Sequence, residues 1–133
     1  MNTLLIDDDY ISVFLTERLL QQETFTEGLL TFHSSQQALH YLQQLPPDQP
    51  ARWPEVIFLD LNMPIMSGWD FLRALCPYEQ QLLGHCRIYI LTSSLAPCDA
   101  ARAQDFALVA GFIHKPLDSM ELQVIRAQLI ESS

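Results

Sequence analysis

A chain of 133 residues with 49% hydrophobic content is long enough to bury one core and too short for two, so a single domain over residues 1–133 is expected. Sixteen acidic residues against seven basic ones leave a formal charge of −9, and the scattered basic residues (Arg18, Arg52, Arg73, Arg87, Arg102, Lys115, Arg126) cannot neutralise a row of nucleic-acid phosphates. No apolar run exceeds five residues and the N-terminus lacks a signal-peptide layout, which excludes a helical membrane span and points to a cytoplasmic protein.

In chain order, Thr3 to Ile6 is a short apolar run ending in Asp7, Asp8 and Asp9, and Ile11, Phe14, Leu15 and Leu19 follow at helical spacing. That reads as strand, acidic turn and helix. Leu29 to Phe32 predicts a second strand, after which Ser34 or Ser35 can cap a helix carrying Ala38, Leu39, Leu42 and Leu45. The Pro-rich stretch LPPDQPARWP reads as a surface connector. It leads to VIFLD, four apolar residues running into Asp60, which is the pattern of a central strand covered on both faces. Ser67 is the expected N-cap of a third helix with Phe71, Leu72, Leu75 and Cys76 on one face, extending to about Gly84.

RIYILT, residues 87–92, predicts a fourth strand closed by Thr92, and Pro97 opens an alanine-rich fourth helix with Ala100, Ala101, Ala103 and Ala107. VAGFI, residues 109–113, is the fifth strand, followed by His114, Lys115 and Pro116, and the last helix uses Leu122, Ile125 and Leu129. Five such units imply an α/β fold, one parallel sheet with helices on both faces.

The strand ends carry the chemistry. Asp7 and Asp8, Asp60, Thr92 and Lys115, the one lysine in the sequence, all fall at the carboxyl edge of that sheet, where ligands of open α/β folds bind. For a lone Asp, a turn or capping role is the more ordinary use, but separate capping roles do not require five polar residues at one edge. Three carboxylates near one point repel by roughly 4 kcal/mol per pair at 4 Å and an effective dielectric near 20. A hard divalent cation such as Mg²⁺ relieves that, and a carboxylate beside it can act as a nucleophile toward phosphorus.

The pieces LLIDDD, FLDLNMPIMSG, LTSS and HKP, in this order across nearly the whole chain, resemble a response-regulator receiver domain of two-component signalling. The resemblance implies a flavodoxin-like, doubly wound five-stranded sheet of order 2-1-3-4-5, and Asp60 as the phosphoacceptor. It implies Asp8 and Asp60 as direct Mg²⁺ ligands, Asp7 as a ligand through water, and the Asn62 carbonyl as the remaining protein ligand. It further marks Thr92 as the phosphate-sensing switch, Lys115 as the phosphate-pairing cation, and the bond from Lys115 to Pro116 as cis. The implied partners are a histidine kinase or a histidine phosphotransfer protein as donor, and a downstream protein met through the fourth helix, fifth strand and fifth helix; a homodimer stays open. The molecule would catalyse only its own phosphorylation and dephosphorylation.

Departures from the family pattern are few. Phe112 stands where a switch tyrosine is common, so a switch here would act by burial alone, and Asp9 suits helix capping. No output segment follows the fifth helix in this sequence, which leaves a binding surface as the expected output. A haloacid-dehalogenase-like phosphatase would use the DxD of Asp7 to Asp9, but it leaves Asp60 unexplained and needs an acidic motif where Asp118 only opens a helix. A constitutive pseudo-receiver would not need every acid, Thr92 and Lys115. Cys76, Cys86 and Cys98 form no CxxC pair and read as buried or half-buried thiols. His33, His40, His85 and His114 share no metal spacing, and Met63 and Met66 read as loop packing.

Overall fold

Five parallel strands form the sheet of the computed structural model: β1 (Thr3–Ile6), β2 (Leu29–Phe32), β3 (Val56–Asp60), β4 (Arg87–Thr92) and β5 (Val109–His114). Their order is β2-β1-β3-β4-β5, the order anticipated above. The structure describes residues 2–23, 28–46, 48–61, 63, 65–92, 97–115 and 117–131. The interior strands β1 and β3 are buried along their whole length, whereas edge strands β2 and β5 are partly exposed. This is why VIFL needs no polar alternation: both of its faces are covered.

Alternation along the strands divides the core in two. Leu4, Ile6, Ile57, Leu59, Ile88 and Ile90 pack with helices α2 (Ser35–Gln43), α3 (Gly68–Leu75) and α4 (Pro97–Ala103). Leu5, Val56, Phe58, Tyr89 and Leu91 pack on the other side with α1 (Tyr10–Gln22) and α5 (Ser119–Glu131). Each fully buried aliphatic or Phe side chain contributes about 1.5–3 kcal/mol. The predicted caps hold: Asp9 accepts from the Ile11 and Ser12 N–H groups at 3.0 and 3.4 Å, Ser34 caps α2, and Ser67 with Asp70 forms a capping box on α3. Asp118 accepts from Glu121 N at 2.8 Å at the head of α5, whose Leu122, Ile125 and Leu129 are buried as expected.

Several local expectations are corrected. The sheet-facing stripe of α1 is Val13, Thr16 and Leu20, while Ile11, Phe14 and Leu15 are exposed and Leu19 is half-buried. That helix has apolar residues on more than one side, so periodicity did not say which side meets the sheet. The third helix stops at Leu75, because Pro77 cannot continue it; a 3-10 turn (Cys76–Tyr78) and a short helical segment (Glu79–Leu82) follow. Cys76 and Cys98 are exposed, and only Cys86 is buried, its thiol pushed up to about 12 by desolvation. The helix opened by Pro97 ends at Ala103, before Ala107, and α2 ends before Leu45. The connector after α2 is not all surface: Trp53 is fully buried, donates Nε1–H to Pro46 O at 3.1 Å, and packs against Tyr78 at 5.5 Å. No helix among the described residues is long and apolar enough to cross a membrane.

Candidate functional site

Strand register gathers the polar strand ends. Ile6 pairs with Leu59, so the next residues along, Asp7 and Asp60, leave the sheet side by side. Asp60 in turn pairs with Leu91, and Thr92 pairs with His114 one step further on. Lys115 then donates its backbone N–H to Thr92 O at 2.8 Å, which continues the ladder and holds the lysine at the same sheet edge.

The result is a tight cluster. Asp7, Asp8 and Asp60 each offer a carboxylate oxygen, and these oxygens lie within 4.8 Å of one another. Lys115 Nζ donates to Asp7 Oδ2 at 2.7 Å and to Asp60 Oδ2 at 3.4 Å. Asp7 is fully buried, Asp60 and Thr92 are nearly so, and Asp8 is half-buried.

Asp7 is tied down at three points: its N–H donates to Phe32 O at 3.1 Å, its Oδ1 accepts from Asp9 N at 3.0 Å, and its Oδ2 holds Lys115. Burial pushes its carboxyl up, but the hydrogen bonds from Lys115 and the Asp9 N–H, with the ammonium charge, outweigh burial and hold it below its ordinary value. Burial likewise pulls the Lys115 ammonium down, and the Asp7 hydrogen bond with the Asp60 and Asp7 charges raises it overall.

The donor set is all oxygen, and within the cluster three carboxylates face one ammonium. That composition fits a hard divalent cation and does not fit a soft one. The Asn62 carbonyl and the peptide bond to Pro116 lie outside the described residues. Asp118 is occupied as the cap of α5, so it does not supply the further acid that a dehalogenase-like site requires.

The segment after Asp60 is seated against the strand. Gly68 N donates to Leu61 O at 3.0 Å, and a Cβ on Gly68 would come within 2.8 Å of Leu61 Cα and 2.9 Å of Asp60 O. Only glycine lets α3 begin this close to the Asp60 backbone. Met63 is buried and accepts a 3.7 Å hydrogen bond from Ser35 Oγ, while Met66 is partly buried against the same core, in line with the expected packing role. Ile65 stands apart with φ 72° and 87% exposure, a left-handed conformation that is costly for a β-branched side chain. His33 stacks on Tyr10 at 4.3 Å beside the acidic turn, and Phe112 is half-buried against the α2–α3 side of the core.

One feature was not foreseen as part of the site. Tyr10, Ile11, Phe14 and Leu15 expose apolar surface from the first two turns of α1, directly after the acidic residues. A groove of about 280 Å³ runs between this helix and the segment after β5, lined by Ile11, Ser12, Leu15, Leu91, Lys115 and Leu117. The sequence signal was present, since these residues exceed what one sheet-facing stripe can use.

The chain belongs to the response regulator receiver domain family, whose model matches residues 3–126. Among solved structures it is similar to a two-component response regulator from Cytophaga hutchinsonii, at 29% identity and a TM-score of 0.86, over 98% of this chain and 96% of that one. A response regulator receiver protein from Dyadobacter fermentans matches at 24% identity and a TM-score of 0.81, covering 98% of both chains. Chemotaxis protein CheY4 of Vibrio cholerae shares the fold at 22% identity and a TM-score of 0.74, over 96% of this chain and 97% of that one. No curated protein sequence matches the chain.

Proposed function

We propose that this receiver is the phosphoacceptor of a two-component or phosphorelay pathway, in which Asp60 takes a phosphoryl group from a phosphohistidine on a histidine kinase or histidine phosphotransfer protein. The observation that carries this reading is the convergence of Asp7, Asp8 and Asp60 around one point, with Lys115 bound to two of them. Asp8 and Asp60, with Asp7 and the Asn62 carbonyl, would hold Mg²⁺. Bound there, the cation neutralises charge on the phosphoryl oxygens and relieves the repulsion of the carboxylates.

The protein's own groups do the rest. An Asp60 carboxylate oxygen attacks phosphorus, the P–N bond to the donor imidazole breaks, and its electron pair stays on the ring nitrogen. Lys115 already spans Asp7 and Asp60, so its ammonium is placed to move onto a phosphoryl oxygen as charge builds there. Water later attacks the acyl phosphate and returns the Asp60 carboxylate, so the molecule catalyses its own resetting and no external turnover.

The donor has to reach Asp60 over the rim formed by α1. The exposed apolar residues there, with the groove beside Lys115, favour docking of a helical partner whose apolar side chains enter it. The downstream target is read at α4, β5 and α5. The Thr92 hydroxyl would move toward a phosphoryl group on Asp60, and Phe112 would take up the space released, altering that surface by burial alone.

Intact-mass measurement after treatment with acetyl phosphate and Mg²⁺ tests the reading. One added phosphate is expected in the wild type and none in Asp60→Asn. Chelation of the metal is expected to abolish the adduct while leaving the far-ultraviolet circular dichroism unchanged. An adduct that persists in Asp60→Asn would remove Asp60 from the role.

A further inference from the structure

Among the described side chains of helix α4, Ala103 is buried and Cys98, Ala101 and Arg102 are exposed. The Arg102 guanidinium lies over the Trp69 ring, its Cζ 4.6 Å from the ring centroid. Trp69 also stacks on Phe106, in the turn that follows α4, with centroids 6.0 Å apart and planes inclined by 29°. Both rings are more than nine-tenths buried, so the cation meets an aromatic surface largely removed from water.

The two partners belong to different arms of the site. Trp69 follows Gly68, whose contact with Leu61 and the Asp60 carbonyl seats α3 firmly on the strand end. Arg102 lies on the helix that follows Thr92 in the chain. A displacement of Thr92 toward Asp60 would bear on α4, the next described element of the chain, while Trp69 belongs to α3, seated on β3 through Gly68. A cleft of about 460 Å³ beside Ala103, Phe106, Val109 and Phe112 provides room for such a shift. The Arg102–Trp69 contact therefore joins α4, the helix that follows Thr92, to α3, which is seated on the Asp60 strand end.

We propose that Arg102 on Trp69 is a latch that favours the arrangement of α4 seen with Asp60 unphosphorylated and bound by Lys115, and so sets how readily the surface switches. This rests on the phosphoacceptor reading above. A contact made in one arrangement and lost in the other biases the equilibrium by its own strength, and the same bias appears in the affinity for any ligand that prefers the second arrangement.

The test compares Arg102→Gln, Arg102→Lys and wild type, each titrated with beryllofluoride and Mg²⁺ in a calorimeter, with amide exchange over residues 97–103 measured in the absence of beryllofluoride. Arg102 is exposed, so neither variant disturbs the core. Arg102→Gln should bind the phosphoryl mimic about two- to fivefold more tightly than wild type, with faster exchange in α4, the range expected for one such stack. Arg102→Lys, which keeps the cation, should stay near wild type. Equal affinity in Arg102→Gln and wild type, or the same gain in both variants, overturns the latch and leaves the phosphoacceptor reading standing. A wild type that binds no beryllofluoride and gains no phosphate mass overturns both.

Discussion

The two edges of the sheet are built from the same five strands, and they differ in what is added to the main-chain hydrogen bonds that both contain. At the amino edge the main chain does the joining: Glu55 N and Val56 N both donate to Asn2 O at 3.0 and 3.4 Å, and Arg87 N donates to Glu55 O at 2.9 Å. The side chains there, including exposed Arg52 and half-buried Tyr41, surround a cleft of about 320 Å³. At the carboxyl edge main-chain bonds such as Asp7 N–H to Phe32 O and Lys115 N–H to Thr92 O are supplemented by charged side chains, with Lys115 against Asp7 and Asp60 and a third acid within reach. One edge holds no such ionic cluster among the described residues. The other concentrates electrostatic cost at the place where chemistry is proposed, and each of its residues carries a distinct share.

The sharpest way to break this comparison is to remove the cation. Lys115→Met leaves Asp7 buried without its main partner and should lower the free energy of unfolding by about 3 kcal/mol in metal-free buffer, with Mg²⁺ restoring part of the loss. Asp7 is held below its ordinary 3.8, so its contribution is present above that value and is lost as pH falls through the depressed one. Lys115 is raised above 10.5, so its contribution is present below that value and is lost as pH rises through the raised one. The deficit of Lys115→Met should therefore be widest between about pH 4 and pH 10 and narrow on both sides. Urea midpoints for both proteins across this range check it; identical midpoints at pH 7 would mean that Lys115 contributes nothing to the fold.

A smaller effect is expected from Gly68→Ala, which drives a methyl into Leu61 and the Asp60 carbonyl, both part of the main chain. It should cost about 1–3 kcal/mol and slow phosphorylation by shifting Asp60. A thermal melt together with the acetyl phosphate assay separates the two consequences. Asp8→Ala then contrasts with Lys115→Met inside the same cluster. Asp8 makes repulsive contacts with its neighbours and is half-buried, so its removal should be neutral or stabilising by less than about 1 kcal/mol without metal, while weakening Mg²⁺ binding in a calorimetric titration. The amino edge supplies the smallest effect: Arg52→Ala should stay within about 0.5 kcal/mol of wild type and leave phosphoryl uptake unchanged. A larger loss there would mean that the side chains of that edge also hold the sheet together.

Sequence alone determined much of the frame. Apolar runs punctuated by acids, Thr92 and Lys115 placed five strands, their parallel direction and the shared edge of the polar ends, because each of those is local: strand length, burial pattern and turn chemistry are written in consecutive residues. The caps at Asp9, Ser34 and Ser67 were legible for the same reason. What depended on residues far apart was not. Which side of α1 meets the sheet was decided by packing, and it left Ile11, Phe14 and Leu15 outside. Trp53, inside an apparent surface connector, was drawn into the core because Tyr78 and the Pro46 carbonyl meet it there. Within the acidic run, neighbours that look alike in sequence were separated by register: Asp7 comes level with Asp60 and receives Lys115 from 108 residues away, Asp8 is left half-exposed, and Asp9 turns to cap the helix. An ionic contact over that separation is set by how strands align and how closely they pack, and only the tertiary structure settles either.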